Sequence, residues 1–417
     1  MRIAARKTTV FPARSRKTAE LLDAGYTAYT VNLWEEDGAL VPAAALASEK
    51  AYPTCPVNVT GGYYSEGNGA LYLVSGSLAY RLNKGGTAYT TVARNLSDGA
   101  FFDDMYVEGS ASTVLFDGYN RITYSGQSQS TAVADKRFYA GAEHCGRLFA
   151  RDYDEPYKLW WSASDAFDWE EGISGSGYVY LPAAGGEVLR LFSYRERLIA
   201  VRRRGITVVH AYGDPENYKV GATANYLTAD GIIERTCAVC AGDIYFCTEG
   251  GLYAFNGSSV EKLMDFGGRI SSPQSAAACG ERYYLICTDK YLGEGCVLCF
   301  DGLKKRYAVC DIKPSVLFAA EEGVYAVVGT GVYKILPCSG SGRWVSLPFR
   351  IEGSRSALIK NISAACGGDI VIKVSAGGYE RTFSCGDIRG ANISGGTFVF
   401  DVEVNGALRS LRVEAEI

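Results

Sequence analysis

The sequence predicts an all-β protein, and three observations support this prediction. First, the 417 residues include 49 Gly, 29 Tyr and 17 Phe but only 3 Met, a composition typical of short strands joined by tight turns. Second, a unit of two apolar strands around a Gly-containing turn recurs at an interval of about 42 residues. Third, that interval is typical of β-propeller blades, which bury their faces against neighbouring blades. We therefore expect a propeller of about seven blades, with six as the alternative count.

The repeat is clearest from Ala241 onward, where the sequence reads AGDIYFCTEGGLYAFNG. One apolar residue marks the first strand of each unit: Leu71, Met105, Leu148, Leu198, Ile244, Tyr283 and Val324. Successive markers are separated by 34, 43, 50, 46, 39 and 41 residues. In four units the second strand follows its marker by eight residues, which is the spacing of a β-hairpin. A series of stacked β-sandwiches is the alternative architecture.

Three regions are predicted along the chain. Residues 51–340 hold the repeat and are expected to form the propeller. Residues 341–417 contain alternating segments such as Ile370-Val-Ile-Lys-Val, and this alternation favours a small C-terminal β-sandwich. Residues 1–50 are largely polar, and we expect them to form an N-terminal arm.

The predicted arm is strongly basic at its start. Arg6, Arg14 and Arg16 lie in it, and no carboxylate precedes Glu20. A secretory signal would continue into an apolar segment, whereas TTVFPARSRKTAE is polar, so we expect no secretion. A charged segment without a strong helical pattern is expected to become ordered only when it contacts a partner, so we predict Arg6, Arg14 and Arg16 as protein-interface residues.

Composition excludes several other classes of protein. The net charge of −4 does not favour general binding to nucleic acid or to a membrane surface. No run of about 18 apolar residues predicts a transmembrane helix. The 13 Cys residues follow no disulfide framework, and most lie in apolar strand-like sequence. We expect reduced, buried thiols.

No motif in the sequence predicts catalysis, a metal site or a cofactor. The two histidines, His144 and His210, accompany no nucleophile elbow. The C-x-x-C pairs that begin at Cys237 and Cys296 lie in strand-like sequence, where residues three apart face opposite sides. The Gly-rich stretches lack the Lys-Ser/Thr pair of a P-loop. We therefore predict that the protein is not an enzyme and holds no metal or cofactor.

Two clusters of side chains are candidates for binding. The stretch KLWWSASDAFDWEEG, residues 158–172, combines three tryptophans with several carboxylates. From it we predict a protein interface formed by Trp161, Trp169, Asp165 and Asp168, because aromatic anchors with a charged rim suit such contacts. Adjacent strand residues face opposite sides, so one of Trp160 and Trp161 is expected to be core and the other exposed. Glycan binding or hydrolysis by the same aromatic and acidic residues is the alternative.

The second cluster is the triplet Arg202, Arg203 and Arg204 at a predicted hairpin turn. Three adjacent cations repel one another unless an anion lies nearby. The triplet is either a solvated turn or a contact with phosphate or an acidic partner, and DNA is one candidate for that partner.

The run from KLWWSASDAFDWEEG through YRERLIAVRRRGITVVHAYGDPENY to GIIERTCAVCAGDIYFCTEGGLYAFNG resembles head–tail and tail accessory proteins of tailed bacteriophages, including packaged-DNA stabilisation proteins. The shared pattern is a "W-S…F-x-W" loop, a strand pair ending in "I-x-V" and "G-D-P", and "I-Y-F-x-x-x-x-G-L-Y-A-F-N-G". It covers about residues 145–263.

The resemblance implies a non-enzymatic virion component, made in the host cytoplasm. Its partners would be other virion proteins, and several copies would assemble as a ring around the tail axis. In that family the functional residues form interaction surfaces rather than an active site. A tail-borne glycan binder and a cellular interaction scaffold are the alternatives.

Overall fold

A computed structural model describes residues 16–22, 26–96, 100–107, 109–117, 120–125, 128–133, 136–172, 175–224, 231–320, 323–351 and 355–417. The described chain is built of β-strands, with short 3-10 turns at Ala183–Gly185 and Pro215–Asn217. The all-β prediction is therefore confirmed. None of the helical turns in these residues has the length and hydropathy needed to cross a membrane.

The described chain forms two compact units. One contains Leu46–Leu336, and the other contains the residues up to Ala45 together with Pro337–Ile417. The first unit matches the region where the repeat was found. The second unit combines the two ends of the chain.

The repeat region consists of four-stranded antiparallel sheets that follow one another in sequence. Sheets 1 to 4 contain, in order, Val59–Ser65, Ala70–Ser75, Leu78–Asn83 and Thr90–Arg94; Phe101–Val107, Ser110–Phe116, Asn120–Ser125 and Ser128–Val133; Phe138–His144, Arg147–Asp152, Lys158–Trp161 and Gly177–Tyr180; and Val188–Tyr194, Arg197–Arg202, Gly205–His210 and Lys219–Ala224. Within each sheet, strands that are adjacent in sequence pair with each other, so each sheet is a meander.

Three more sheets complete the set of seven found in the described residues. Sheets 5 to 7 contain, in order, Ile233–Cys240, Asp243–Thr248, Gly251–Phe255 and Val260–Asp265; Ile270–Cys279, Arg282–Asp289, Gly293–Asp301 and Arg306–Cys310; and Val316–Ala320, Gly323–Val328, Gly331–Pro337 and Ala44–Leu46. The last strand of sheet 7 comes from before sheet 1 in the sequence. Next to it, the Ala47 N–H donates to the Lys334 carbonyl at 2.9 Å.

The first strands of the seven sheets contact one another in succession. Each first strand touches that of the next sheet, and Val316–Ala320 of sheet 7 touches Val59–Ser65 of sheet 1. Apolar clusters fill the spaces between neighbouring sheets. One of them joins Phe246 of sheet 5 to Ile199 of sheet 4, and both side chains are fully buried.

The predicted first-strand markers lie mostly in second strands. Leu71, Leu148, Leu198 and Ile244 each occupy the second strand of a sheet, whereas Met105 lies in a first strand. This difference explains the short step of 34 residues between Leu71 and Met105. The sequence pattern detected the central hairpin of most sheets and missed the strand that precedes it.

The second unit contains two sheets around one core. The first sheet contains Leu33–Glu36, Ala39–Pro42, Leu408–Glu416, Ala357–Cys366 and Asp387–Gly395, with Arg16–Glu20 also paired to Leu408–Glu416; the second contains Thr27–Val31, Gly342–Ser346, Phe398–Val404, Ile370–Ala376 and Tyr379–Phe383. Side chains from both sheets share an apolar cluster that includes Ile359, Leu411, Ile372 and Phe400, each fully buried. The sheets form a sandwich.

The described part of the predicted arm is not separate from this sandwich. Arg16–Glu20 pairs along Leu408–Glu416, and Thr27–Val31 pairs with Gly342–Ser346. Leu21 is fully buried in the shared core. An edge strand is held by backbone hydrogen bonds on one side, so a polar sequence can occupy it. This is why composition alone suggested an arm. Arg6 and Arg14 lie outside the described residues.

Candidate functional site

The two adjacent tryptophans both lie in the core, on opposite faces of sheet 3. Trp160 packs in the cluster between sheets 2 and 3, next to Phe116 and Phe138, and its Nε1 donates to Asp152 Oδ2 at 2.9 Å. Trp161 packs in the cluster between sheets 3 and 4, next to Leu191. Both faces of sheet 3 are covered by neighbouring sheets, so the expectation that one tryptophan is exposed is wrong.

Trp169 is also buried. It is 8% exposed, and its ring lies 4.4 Å from that of Phe138, centroid to centroid. The prediction that Trp161 and Trp169 form an interface is therefore corrected, because neither ring is available to a partner. For the same reason these two rings cannot serve as sugar platforms, as the glycan alternative requires.

The two predicted acidic interface residues have local structural roles. Asp165 is exposed with φ of 49°, and its N–H donates to the Gly146 carbonyl at 2.8 Å. Asp168 is half-buried, and its Oδ1 accepts from the Glu170 N–H at 3.0 Å. Such a bond is the ordinary turn-forming role of Asp.

Tyrosines, rather than tryptophans, are the aromatic residues that this part of sheet 3 exposes. Tyr157 and Tyr180 are 38% and 54% exposed. The Tyr180 hydroxyl donates to Glu155 Oε1 at 2.8 Å, and Lys158 Nζ lies 5.4 Å from the Tyr180 ring centroid. Tyrosines held in this way are common anchors of protein interfaces.

The arginine triplet consists of three side chains in different environments. Arg202 is fully buried, and its Nε and Nη2 donate to the Gly186 carbonyl at 2.9 and 2.6 Å. Arg203 pairs with Glu187, with its Nη2 at 2.5 Å from Oε1. Arg204 is exposed. The triplet is therefore not a single cationic surface, and the predicted phosphate or acidic-partner contact does not include Arg202.

The histidines and the paired cysteines occupy structural positions. His144 is buried, its Nδ1 lies 2.8 Å from Ser193 Oγ, and burial lowers its pKa. His210 is an exposed residue at the end of a strand. Cys237 and Cys296 are buried free thiols. Within the part of the chain that the structure describes, no three His, Cys, Asp or Glu side chains are grouped so as to hold a metal ion.

A cavity of about 600 Å³ lies among the first strands of the sheets. Its lining comes from sheets 1, 2, 4, 5, 6 and 7 and includes Phe101, Phe102, Phe192, Phe318, Tyr63, Val239, Asp104, Glu66, Arg190 and Arg235. Polar and apolar groups both contribute to its wall, and two arginines and two carboxylates supply its charge. A concave site of this size is a common position for a small-molecule ligand. We take it as the candidate functional site.

Two arginines reach between sheets that are not neighbours in sequence. Arg190 of sheet 4 places its guanidinium carbon 4.4 Å from the ring centroid of Phe101 in sheet 2. Arg235 of sheet 5 donates from Nη1 to the Thr60 carbonyl of sheet 1 at 3.4 Å. These contacts place both cations near the starts of the first strands.

Asp104, one of the two carboxylates that line the cavity, is hydrogen-bonded to the turn after the first strand of sheet 1. Asp104 Oδ1 accepts from Thr113 Oγ1 at 2.8 Å, and its Oδ2 accepts from the Gly67 N–H at 3.3 Å. The carboxyl of Asp103, the residue before Asp104, accepts from the Glu143 N–H at 2.9 Å. Burial raises the pKa of Asp103 to about 7; nearby Asp104 adds to the rise, whereas the Glu143 N–H and Arg190 oppose it.

We expect stability to depend on pH through Asp103. Its pKa is higher in the folded protein than in the unfolded chain, so its contribution to stability is complete below about pH 4 and is lost as the pH rises to about 7. Asp103→Asn keeps an oxygen for the Glu143 N–H and cannot ionise. The variant should exceed the wild type in free energy of unfolding at pH 8, by on the order of 2 kcal/mol. Urea unfolding at pH 5 and pH 8 measures this difference.

The control is Asp214→Asn, at an exposed position in the loop between the third and fourth strands of sheet 4. Its unfolding free energy should follow the wild-type value at both pH values. A gap between Asp103→Asn and the wild type that is equal at pH 5 and pH 8 would contradict the assignment.

Sequence analysis missed the residues that line the cavity. First strands such as Ile270–Cys279, ISSPQSAAAC, are rich in small and polar residues, so they carry no apolar signal. A usable signal was the further strand that lies about ten residues before each marker other than Met105. That position contains Arg190 and Arg235.

No protein-family model matches the chain, and no curated protein matches its sequence. Among solved structures, the extracellular domain of a putative one component system from B. thetaiotaomicron is 9% identical, with a TM-score of 0.48; the match covers 92% of this chain and 62% of that one. The chain therefore spans less than two thirds of that domain.

Two further solved structures show similar levels of likeness. A chain of a mitotic checkpoint complex is 9% identical, with a TM-score of 0.45, and the match covers 81% of this chain and 96% of that one. The computationally designed Ika8 protein is 8% identical, with a TM-score of 0.47, and the match covers 75% and 98%. At these scores the likenesses carry no argument about function.

Proposed function

We propose that the repeat region is a closed seven-bladed β-propeller. The contact between the first strands of sheets 7 and 1 supports closure. The origin of the last strand of sheet 7 supports it as well, because Ala44–Leu46 precedes sheet 1 in the chain and ties the two ends of the repeat together. In such a ring each sheet has only short exposed edges, which limits edge-to-edge association.

We further propose that the protein is a non-enzymatic virion component of a tailed bacteriophage, positioned at the head–tail connection or in the tail. The observation that carries this proposal is the phage-like run at about residues 145–263. It extends from the second strand of sheet 3 into sheet 5, so it follows consecutive blades rather than one isolated loop. The "G-D-P" element forms the start of the 3-10 turn Pro215–Asn217 beside sheet 4.

Assembly in this proposal depends on exposed side chains at the outer strands. Tyr157 and Tyr180 replace the tryptophans as the aromatic anchors, with Glu155 and Lys158 beside them as a polar rim. Several copies around the tail axis would each present this surface to another virion protein. Arg204 is the member of the arginine triplet that remains available to an acidic partner or to DNA.

Purified phage particles test the proposal. We expect the chain to be present in them at a fixed copy number by quantitative mass spectrometry. Tyr180→Glu should lower its incorporation several-fold, because a charge at an interface anchor opposes docking. The matched control is Tyr379→Glu in the sandwich, where the side chain is 80% exposed.

Absence of the chain from the particles would overturn the virion role. Normal incorporation of Tyr180→Glu would contradict the proposed tyrosine interface but not the virion role. Circular dichroism of both variants confirms that any difference in incorporation does not come from misfolding.

A further inference from the structure

Arg190 has an unusual environment for a cation. Its Nε is buried without a hydrogen-bond partner. Its guanidinium lies over the Phe101 ring at 4.4 Å and near the Phe192 ring at 6.0 Å, measured to the centroids. Stacking on aromatic faces holds the planar group in place and leaves its in-plane N–H donors for an acceptor. Because the buried Nε has no surface that a ligand could reach, an acceptor in the cavity would meet the terminal N–H groups of the guanidinium.

The second cation strengthens this end of the cavity. Arg235 lines the same cavity, and its one described hydrogen bond, to the Thr60 carbonyl, is long at 3.4 Å. The carboxylate of Asp104, by contrast, already accepts two hydrogen bonds at the opposite side. The cavity therefore has two arginines at one end, whereas Asp104 is already hydrogen-bonded to neighbouring groups of the protein.

The chemistry of the lining restricts the ligand. Two arginines and two carboxylates give the lining no net charge, so one extra negative charge is easier to accommodate than the two of a phosphate monoester. The partly buried Phe192 ring and the Val239 side chain, which is 44% exposed, offer apolar surface to the rest of the ligand. A volume of about 600 Å³ suits a molecule of small organic size.

We propose that this cavity binds a small organic monocarboxylate with an apolar or aromatic body. The carboxylate would accept from the guanidinium of Arg190, with Arg235 beside it, and the body would lie against Phe192 and Val239. Arg190 would be the residue that selects for the charge. This inference does not depend on the virion proposal, since it rests only on the cavity.

The probe is 2-naphthoate, with the neutral 2-naphthamide as its matched partner. Isothermal titration of the full chain at pH 6, where the probe is an anion, should give one saturable site for 2-naphthoate. The amide should bind at least tenfold more weakly, because charge-assisted hydrogen bonds to Arg are lost. Arg190→Gln should lower the affinity for 2-naphthoate at least tenfold and leave that for the amide nearly unchanged.

The control variant is Arg197→Gln, an exposed arginine of sheet 4 outside the cavity. It should bind 2-naphthoate as the wild type does. Lack of saturable binding by the wild type would overturn the proposal. Equal binding of acid and amide to the wild type would also overturn it, by showing uptake without charge recognition. This second comparison needs no variant, so it decides the question even if Arg190→Gln fails to fold.

Discussion

Trp161→Ala should lower the free energy of unfolding by about 4 kcal/mol, because truncating a buried Trp removes its burial and leaves a cavity. The ring is 8% exposed and lies 5.2 Å from the ring of Tyr218, centroid to centroid. Its Nε1 also donates to the Gly175 carbonyl at 3.0 Å. A Cβ at Gly177 would come within 2.9 Å of the indole, so the backbone already lies against the ring on that side.

Urea unfolding followed by circular dichroism measures this effect. The matched control is Tyr212→Ala, a truncation of an aromatic residue that is 71% exposed, and it should change stability by less than about 0.5 kcal/mol. Trp161→Phe should fall between the two, since it keeps most of the packing and loses the hydrogen bond. A stable Trp161→Ala protein with impaired partner binding would instead restore the interface that the sequence predicted.

The tryptophan prediction failed for a reason that applies to the whole repeat. Alternation along one strand predicts one buried and one exposed face, and this is correct for a sheet covered on one side. Sheet 3 is covered on both faces by its neighbours, so Trp160 and Trp161 are both core. Ile244, Tyr245, Phe246 and Cys247 show the same effect in sheet 5, where all four are fully buried.

Coverage of the sheets on both faces also explains which parts of the fold could be predicted from the sequence. Strands buried on both faces read as continuous apolar runs, and their spacing exposed the repeat. Most first strands were not detected, because several of them, such as Ile270–Cys279, are rich in small or polar residues. The edge strands Arg16–Glu20 and Thr27–Val31 pair through backbone groups with partners almost 400 and more than 300 residues away, respectively. No local pattern predicts such pairing.

Candidate site residues were harder to predict than the fold. Nothing in the sequence distinguishes Arg190 from other arginines, because its environment depends on Phe101, which belongs to another sheet. In the triplet, Arg202, Arg203 and Arg204 are identical in type and adjacent in sequence, yet one is buried, one is ion-paired and one is exposed. Their environments are set by Gly185, Gly186 and Glu187, about 16 residues upstream. Only the folded structure brings the two segments together.

Arg202→Ala should lower the free energy of unfolding by about 3 kcal/mol, because a buried side chain with charge-assisted hydrogen bonds is lost. The guanidinium is fully buried, and burial lowers its pKa. Its described acceptors are the Gly186 carbonyl and Thr207 Oγ1, the latter at 3.3 Å. A Cβ at Gly185 would approach Nη1 to 2.6 Å, so the turn at Ala183–Gly185 is fitted closely to this arginine. Without it, the Gly186 carbonyl loses its two donors.

Two further substitutions separate this structural role from a binding role. Arg202→Met keeps much of the volume and removes the charge, so it should cost less than Arg202→Ala while still leaving the carbonyl unpaired. Arg204→Ala, at an exposed position of the same triplet, should stay within about 0.5 kcal/mol of the wild type. If the triplet were one phosphate-binding surface, all three arginines would contribute to phosphate affinity and none to stability. Urea unfolding and phosphate titration of the same variants distinguish these two roles. If Arg202 is structural, its substitution should lower the free energy of unfolding, whereas substitution of Arg204 should not.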